Sequence, residues 1–302
     1  MSNPRFLTRQ ITRVAGQNGE VRPDHLALEE PLEIQLGHGP DASREWKTIA
    51  ITMRTPGNDR ELAVGFLVGE GILRSFDQIE AVHSRGPRFG EQGWQHSVRV
   101  TLRPGVTVDL ERLQRNFYTT SSCGICGKTS LEALELSSFS ALPPVSWQVE
   151  ANMINTLPGR LREAQAVFDQ TGGLHAAGLF TPDGKAIVVR EDVGRHNAVD
   201  KVVGAQFLAG HAASLSHAIL VVSGRASFEL MQKAIASGIP MLVAVGAPSS
   251  LAVEVAEKFG ATLVGFTKPS GFNIYSGGER LRFASKNQHE VPTDAVAQEV
   301  LI

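Results

Sequence analysis

The chain has two cysteines in 302 residues, Cys123 and Cys126, and both fall in one octet, SSCGICGK. Two thiols at this spacing can do three kinds of chemistry. They can form half of a zinc site, whose remaining ligands would have to be histidines. His175 and His196 are the best of nine candidates, but no pair follows at finger spacing. They can form a thioredoxin-type dithiol, which needs an apolar strand leading into the motif; RNFYTTSS is not one. They can form a reactive pair on a loop. In that reading a following helix N-terminus and Lys128 favour the thiolate, Gly124 and Gly127 let another molecule approach, and the second thiol can resolve a mixed disulfide or persulfide. The polar flank fits poorly with two inert, buried thiols.

A second set of residues could hold an anion. Arg195 and Arg225 each follow a strand–glycine exit and open a helix. Backbone N–H groups, the positive end of a helix dipole and a guanidinium would converge there. Asp192, His196 and Asn197 share the segment DVGRHN, and Lys268-Pro269-Ser270-Gly271 follows another strand. Thr171-Gly172-Gly173 with His175 lies beside a hairpin. Any one of these reads equally well as helix capping; together they point to a phosphate-bearing ligand. No G-x-G-x-x-G follows a strand and no G-x-x-x-x-G-K-[ST] occurs, which disfavours Rossmann and P-loop sites.

The elements that must position these residues are regular in the second half. PGRLREAQAVFDQ predicts a helix ending at Gly172-Gly173. HAAGLFTPDGKAIVVRED predicts a hairpin turning at Pro182-Asp183-Gly184. Three helix–strand units follow: RHNAVDKVVGAQFLAG with AILVVSG, ASFELMQKAIASG with IPMLVAVG, and SLAVEVAEKFG with ATLVGF; FNIY is a possible last strand. Apolar strands alternating with helices imply parallel pairing covered on both faces, and ligands bind at the carboxyl ends of such strands. The expected architecture is a three-layer α/β domain with a mixed sheet over 151–302. A smaller α+β domain is expected over 1–115, and a loop and linker carrying the cysteines over 116–150. In the first part, 1–45 reads as irregular, 46–55 and 96–104 as strands, and Asp59 as the N-cap of a helix over RELAVGFLVGEGI. Thr129 and Glu132 have capping-box spacing.

Composition bounds the function classes. The formal net charge is −2, which argues against nucleic acid as a partner. No apolar run reaches the ~18 residues of a membrane span, and MSNPRFLTRQ lacks a signal-peptide core. A cytoplasmic, reducing compartment is the simplest expectation. The hairpin-plus-α/β order suits a cytidine-deaminase-like fold, but His175 lacks the following glutamate and Cys123 the preceding proline of the zinc deaminase signature. That chemistry is not supported.

SSCGICG, FDQTGGLHAAGLF, VREDVGRHNAVDKVVG, SGRASFELMQKAIASGIP and GFTKPSGFNIY, in this order, resemble the FdhD-type sulfur carrier proteins needed for formate dehydrogenase activity. ELAVGFLVGEGI fits as well, so the resemblance runs from about Leu62 to Tyr275. It implies a cytidine-deaminase-like second domain without zinc, a homodimer, and a sulfurtransferase working through a cysteine persulfide. The sulfur would come from a cysteine desulfurase. It would go to the bis-molybdopterin guanine dinucleotide cofactor, with molybdenum or tungsten, before insertion into apo-formate dehydrogenase. By resemblance Cys123 bears the persulfide and Cys126 assists. Phe266, Thr267, Lys268, Pro269, Ser270 and Gly271 fall on the cofactor-binding segment, where the family pattern carries arginine at Lys268; the charge is kept and bidentate geometry lost. Arg195 and Arg225 would then meet guanine-nucleotide phosphates, with Asp192, His196 and Asn197 lining the pocket, and GDP-like nucleotides could mimic the ligand. The alternative function is a chaperone that holds the cofactor and docks the apo-enzyme without sulfur chemistry.

Overall fold

The computed structural model describes residues 5–89, 93–108 and 140–283. Cys123, Cys126, Lys128 and the expected helix start at Thr129–Glu132 lie outside the described residues.

Six strands build the central sheet: β8 (His175–Phe180), β9 (Ala186–Asp192), β10 (Ile219–Val222), β11 (Met241–Ala244), β12 (Thr262–Lys268) and β13 (Gly271–Ser276). Their order is β13-β12-β11-β10-β8-β9. The parallel trio β10-β11-β12 comes from the three predicted helix–strand units. The β8–β9 hairpin and β13 add antiparallel strands on either side, so the sheet is mixed, as expected. Side chains alternate between two cores. Ala177, Leu179, Leu220, Val222, Leu242 and Leu263 face one, and Ala176, Phe180, Ile219, Val221, Met241 and Val243 the other.

The second core is closed by two short helices, α2 (Ala151–Ile154) and α3 (Leu157–Glu163), and a third, α4 (Ala166–Thr171), follows without a buried residue. A single helix was expected over the last two. Instead the chain breaks at Ala164–Gln165, and the fresh N-terminus of α4 is satisfied from a distant strand. Val167 N and Phe168 N donate to the two carboxylate oxygens of Glu191, at 3.0 and 2.8 Å. A carboxylate at a helix N-terminus is favoured by the dipole.

The first core lies under α5 (Arg195–Leu208), α6 (Phe228–Ala236) and α7 (Ser250–Phe259), and continues beyond them. On the far side sit α1 (Asp59–Gly69) and a four-stranded sheet of order β4-β3-β6-β5. Its strands are β3 (Glu30–His38), β4 (Glu45–Arg54), β5 (Ile79–Phe89) and β6 (Trp94–Leu102). Leu32, Ile34, Leu36, Val98 and Val100 from this sheet join the same buried cluster as Val199, Val202 and Met231. The N-terminal α+β unit therefore has no separate core: the two halves share one.

The shared core is possible because α1 and α5 cross at backbone contact. A Cβ on Gly65 would stand 1.8 Å from the carbonyl oxygen of Asp200, and one on Gly204 would stand 1.8 Å from that of Glu61. Only glycine permits this approach. Buried charges flank the crossing. Lys233 donates to both oxygens of Asp200 at 2.8 and 3.0 Å, with Glu70 3.9 Å away. Burial pulls the Lys233 ammonium down, but Asp200 and Glu70 outweigh it and hold the group above its ordinary value.

The first 45 residues are not irregular. Besides β3 they form a ten-rung hairpin of β1 (Phe6–Ala15) and β2 (Asn18–Ala27). The helix start is also one residue from expectation. Asn58, in the left-handed region at φ 60, is the N-cap of α1, while Asp59 is its first residue and pairs with the fully buried Arg54. The short strands β7 (Val149–Glu150) and β14 (Leu281–Arg282) pair with each other. No helix among the described residues is long and apolar enough to cross a membrane.

Candidate functional site

The carboxyl ends of β10, β11 and β12 lie along one edge of the sheet, with the start of β8 and the end of β9 beside them. Backbone hydrogen bonds lace the loops there into a ledge. Gly246 N donates to Gly224 O at 2.9 Å, Phe266 N to Gly246 O at 3.0 Å, and Ala226 N to Ala247 O at 3.1 Å. Ser223 fixes the ledge to β8 in both directions: its N–H donates to Ala176 O, and its Oγ accepts from Ala176 N. A Cβ on Gly246 would press on the Arg225 backbone and Cγ at 3.1 Å, so glycine there lets the loops after β10 and β11 lie closer than a larger residue would without a small shift.

The sequence-derived candidates divide into two groups. Arg195 opens α5, and His196 follows it. His175 sits close enough to both that its imidazole is held below the ordinary value, first by burial and then by the positive charge of Arg195 and His196. His196 reaches toward Glu229 in the first turn of α6. At 3.8 Å the contact is beyond hydrogen-bond reach and is ionic only when His196 is protonated, and the Glu229 carboxyl, with His196 as its main neighbour, is held down to about 2. Arg225 is exposed on the ledge. Phe266 stands next to it at φ 52 with its ring half exposed. Lys268, Pro269 and Ser270 are exposed in the β12–β13 turn, which ends at Gly271, while Thr267 is buried. From β9 to β12 the edge spans four strand spacings, about 19 Å.

Asp192 and Asn197 point elsewhere. The Asp192 carboxylate is fully buried. It pairs with Lys201 at 2.6 Å and accepts from Thr55 N, Gly194 N and Asn197 Nδ2. Asn197 also donates to Met53 O at 2.8 Å, and Lys201 donates to Thr55 O at 2.8 Å. These residues clamp the entrance of α5 to the end of β4, and through that loop they hold Arg195 and His196 in place. The regular DVGRHNAVDK run is in large part this clamp.

Unsatisfied polar atoms concentrate at the edge. Among the described residues eight buried side-chain atoms have no hydrogen-bond partner, and four are here: Arg195 Nε, His196 Nε2, Ser227 Oγ and Thr267 Oγ1. A buried polar group without a partner costs ~1–3 kcal/mol, so four along one ledge mark a surface built to receive hydrogen bonds. Two helix N-termini, of α5 and α6, open onto it, and neither has a side-chain cap. An anionic ligand fits such a set.

Beside the ledge, under α3 and α4, lies a cleft of about 610 Å³. Arg162, Gln165, Phe168, His175, Ser223 and Val245 are among its lining residues, and the Arg162 guanidinium stacks on the Phe168 ring at 4.6 Å. Sequence reasoning placed Ser227 in the polar segment Ser223-Gly224-Arg225-Ala226-Ser227 but missed Glu229 and the Val245–Ser249 segment. The last carried a readable signal, since MLVAVGAPSS is another apolar strand with a glycine exit before a helix. Glu229 carried none, because its role depends on how α6 lies against α5. Among the described residues no group of three or more His, Cys, Asp or Glu is placed to hold a metal ion.

Fold and edge together define an α/β protein in which a mixed sheet presents an anion-receptive ledge at its strand ends, backed by a second sheet that shares its core. The chain belongs to the FdhD/NarQ family, whose pattern matches residues 27–282. It is 49% identical over 277 residues to a protein of Streptomyces avermitilis named sulfur carrier protein FdhD, covering 90% of this chain and 94% of that one. It is 48% identical over 277 residues to a protein of the same name from Mycolicibacterium paratuberculosis, covering 90% and 97%. The fold matches, with a TM-score of 0.68 and 23% identity, the crystal structure of a protein provisionally named a formate dehydrogenase accessory protein from Desulfotalea psychrophila. That match covers 92% of this chain and all of the other.

Proposed function

We propose that this protein is a sulfur carrier in formate dehydrogenase maturation. It would take sulfane sulfur from a cysteine desulfurase onto Cys123 and deliver it to the bis-molybdopterin guanine dinucleotide cofactor, its cargo, held at the ledge. The observation that carries the reading is the name sulfur carrier protein FdhD on relatives 44–49% identical over nearly the whole chain, in a chain whose two cysteines both lie in one C-x-x-C.

The chemistry balances without a metal of the protein's own. The Cys123 thiolate attacks the terminal sulfur of the donor's persulfide. The donor S–S bond breaks, the Cys123 S–S bond forms, and the donor leaves as a thiolate. Attack of the Cys126 thiolate on the Cys123 sulfur then closes the Cys123–Cys126 disulfide and releases hydrosulfide to the cofactor; a cellular thiol reduces the disulfide afterwards. The ledge supplies binding. Arg195, Arg225 and Lys268 offer positive charge for nucleotide phosphates, and the orphaned Ser227 and Thr267 hydroxyls offer hydrogen bonds.

Intact mass after incubation with a desulfurase and cysteine tests the assignment. A reductant-labile gain of one sulfur is expected, lost in Cys123→Ala. An adduct that survives Cys123→Ala removes that residue from the role. Full formate dehydrogenase activity in cells carrying Cys123→Ala and Cys126→Ala would leave only the chaperone reading.

A further inference from the structure

The break between α3 and α4 needs a reason besides stability. An unbroken helix would satisfy Val167 N and Phe168 N internally, with no carboxylate buried to receive them. Instead Glu191, itself buried, is committed to both. What the break achieves is placement. Gln165 sits in it at ψ 64, outside the helical region, and Phe168 follows in the first turn of α4. Both line the cleft of about 610 Å³.

Gln165 is only 4% exposed. Its backbone bonds to Arg162 and Asp169, yet among the described residues its carboxamide has no hydrogen-bond partner. A buried amide left unpaired is costly, and this one borders open space. Around it the wall is apolar, with Pro158, Leu161, Phe168, Leu174 and Val245. Ser223 Oγ accepts from Ala176 N and keeps its own proton to donate. The His175 imidazole, also in the wall, favours the neutral form, through burial first and the Arg195 charge second. Arg162 is the one Asp, Glu, Lys or Arg of the lining, and Asp169 pairs it at 2.5 Å. An apolar cleft of this size with a few convergent polar groups and no unbalanced charge suits a neutral ring.

We propose that this cleft is a ring subsite beside the ledge, that it takes a planar lactam heterocycle, and that Gln165 reads the lactam edge. A lactam sets N–H beside C=O, and a carboxamide meets both, its C=O accepting and its NH2 donating. Guanine and pterin carry this edge, so for its ligand class the inference rests on the cofactor reading of the ledge. The lining includes neither Arg195, Arg225 nor any of 266–271, so the ring subsite is separate from the phosphate groups. It lies on the sheet face under α3, whereas α5 covers the opposite face. A ligand with its ring here and a phosphate at the start of α5 therefore crosses the sheet edge past His175 and Ser223.

Calorimetry on the full chain with GDP, ADP and neopterin tests it. The wild type should bind GDP or neopterin, and prefer either to ADP. Gln165→Leu should weaken that binding about tenfold or more, the scale of a donor and an acceptor left unpaired, with an unchanged melting temperature. Gln165→Glu gives a readout that lost packing would not move. A carboxylate only accepts, which suits the two N–H groups on the guanine or pterin edge and not adenine, so lactam binding should survive and ADP binding vanish. Should Gln165→Leu lose its fold, Gln165→Glu decides alone. A loss confined to GDP assigns the cleft to guanine, and one confined to neopterin assigns it to pterin. A wild type that binds neither overturns the proposal. So does binding that Gln165→Leu leaves unchanged, or ADP bound as tightly as the lactams by wild type and Gln165→Glu alike. The sulfur-carrier reading fails separately, on the Cys123 mass adduct, which Gln165→Leu should leave intact.

Discussion

Replacing Gly65 by alanine should strike the shared core at its tightest point. The added Cβ would lie 1.8 Å from the Asp200 carbonyl oxygen, where ordinary contact begins at 3.4 Å. Helices α1 and α5 would have to part by about 1.6 Å, because the atom struck is backbone and cannot swing away. That separation also stretches the register in which Glu70 and Gly69 meet the buried Asp200–Lys233 pair. Overpacking typically costs ~1–3 kcal/mol, and disturbing a buried ion pair adds to it, so about 3 kcal/mol or more is expected. For a chain of this size that corresponds to a fall in melting temperature of about 6 °C or more. The control is Gly159→Ala in α3, where a Cβ meets nothing within 4 Å and helix propensity predicts a gain of ~0.5–1 kcal/mol. Urea and thermal unfolding of both variants decide the matter. A Gly65→Ala protein within about 0.5 kcal/mol of wild type would falsify the close crossing, and with it the single shared core.

Asp192→Asn leaves Lys201 buried without its counter-ion and should cost ~3–5 kcal/mol in urea unfolding; Arg225→Ala, on an exposed side chain, should leave stability within about 0.5 kcal/mol while weakening GDP binding in calorimetry. His175 should titrate below 6.5 by NMR in the free protein. Its folded form prefers the neutral ring, so its contribution to stability is present above 6.5 and is lost as pH falls from there through the lower folded value. A bound nucleotide phosphate opposes the shift, so GDP should bind more tightly at pH 6 than at pH 8, with proton uptake; pH-independent binding would count against phosphate near His175. Glu229→Gln removes the carboxylate 3.8 Å from His196 and should tighten GDP binding by up to about fivefold, the scale of an exposed charge pair.

The second half was legible because its signals are local. Apolar strands with glycine exits and amphipathic helices announce themselves over windows of ten residues, and the three helix–strand units lie where their periodicity placed them. The hairpin at 6–27 was hidden for a physical reason: neither of its faces enters a core, so no apolar alternation marks it, and Pro23 reads as a breaker. The break at Gln165 was equally unreadable, because Glu191 of β9 caps the new helix from 24 residues away. Arg195, His196 and Arg225 were found at the edge because strand–glycine–helix junctions are visible in sequence. Asp192 and Asn197 come from the same junction but turn into the clamp with Met53 and Thr55. Spacing alone cannot say which side of a helix start faces the ligand and which faces the neighbouring layer.

The core shared by the two sheets also sets a timetable for synthesis. The inner face of the four-stranded sheet is complete once Leu102 has been made, yet its cover includes Val199, Val202 and Phe207. At ~5–20 residues per second a ribosome needs about 5–20 s to reach them. For that interval α1 is the only helix of the cluster yet made, and the part of the sheet and of α1 that meets Val199, Val202 and Phe207 has no lasting partner. The nascent chain is therefore most prone to aggregate while its middle is being translated. A ribosome stalled between 102 and 207 should display a chaperone-binding surface that the finished protein buries completely.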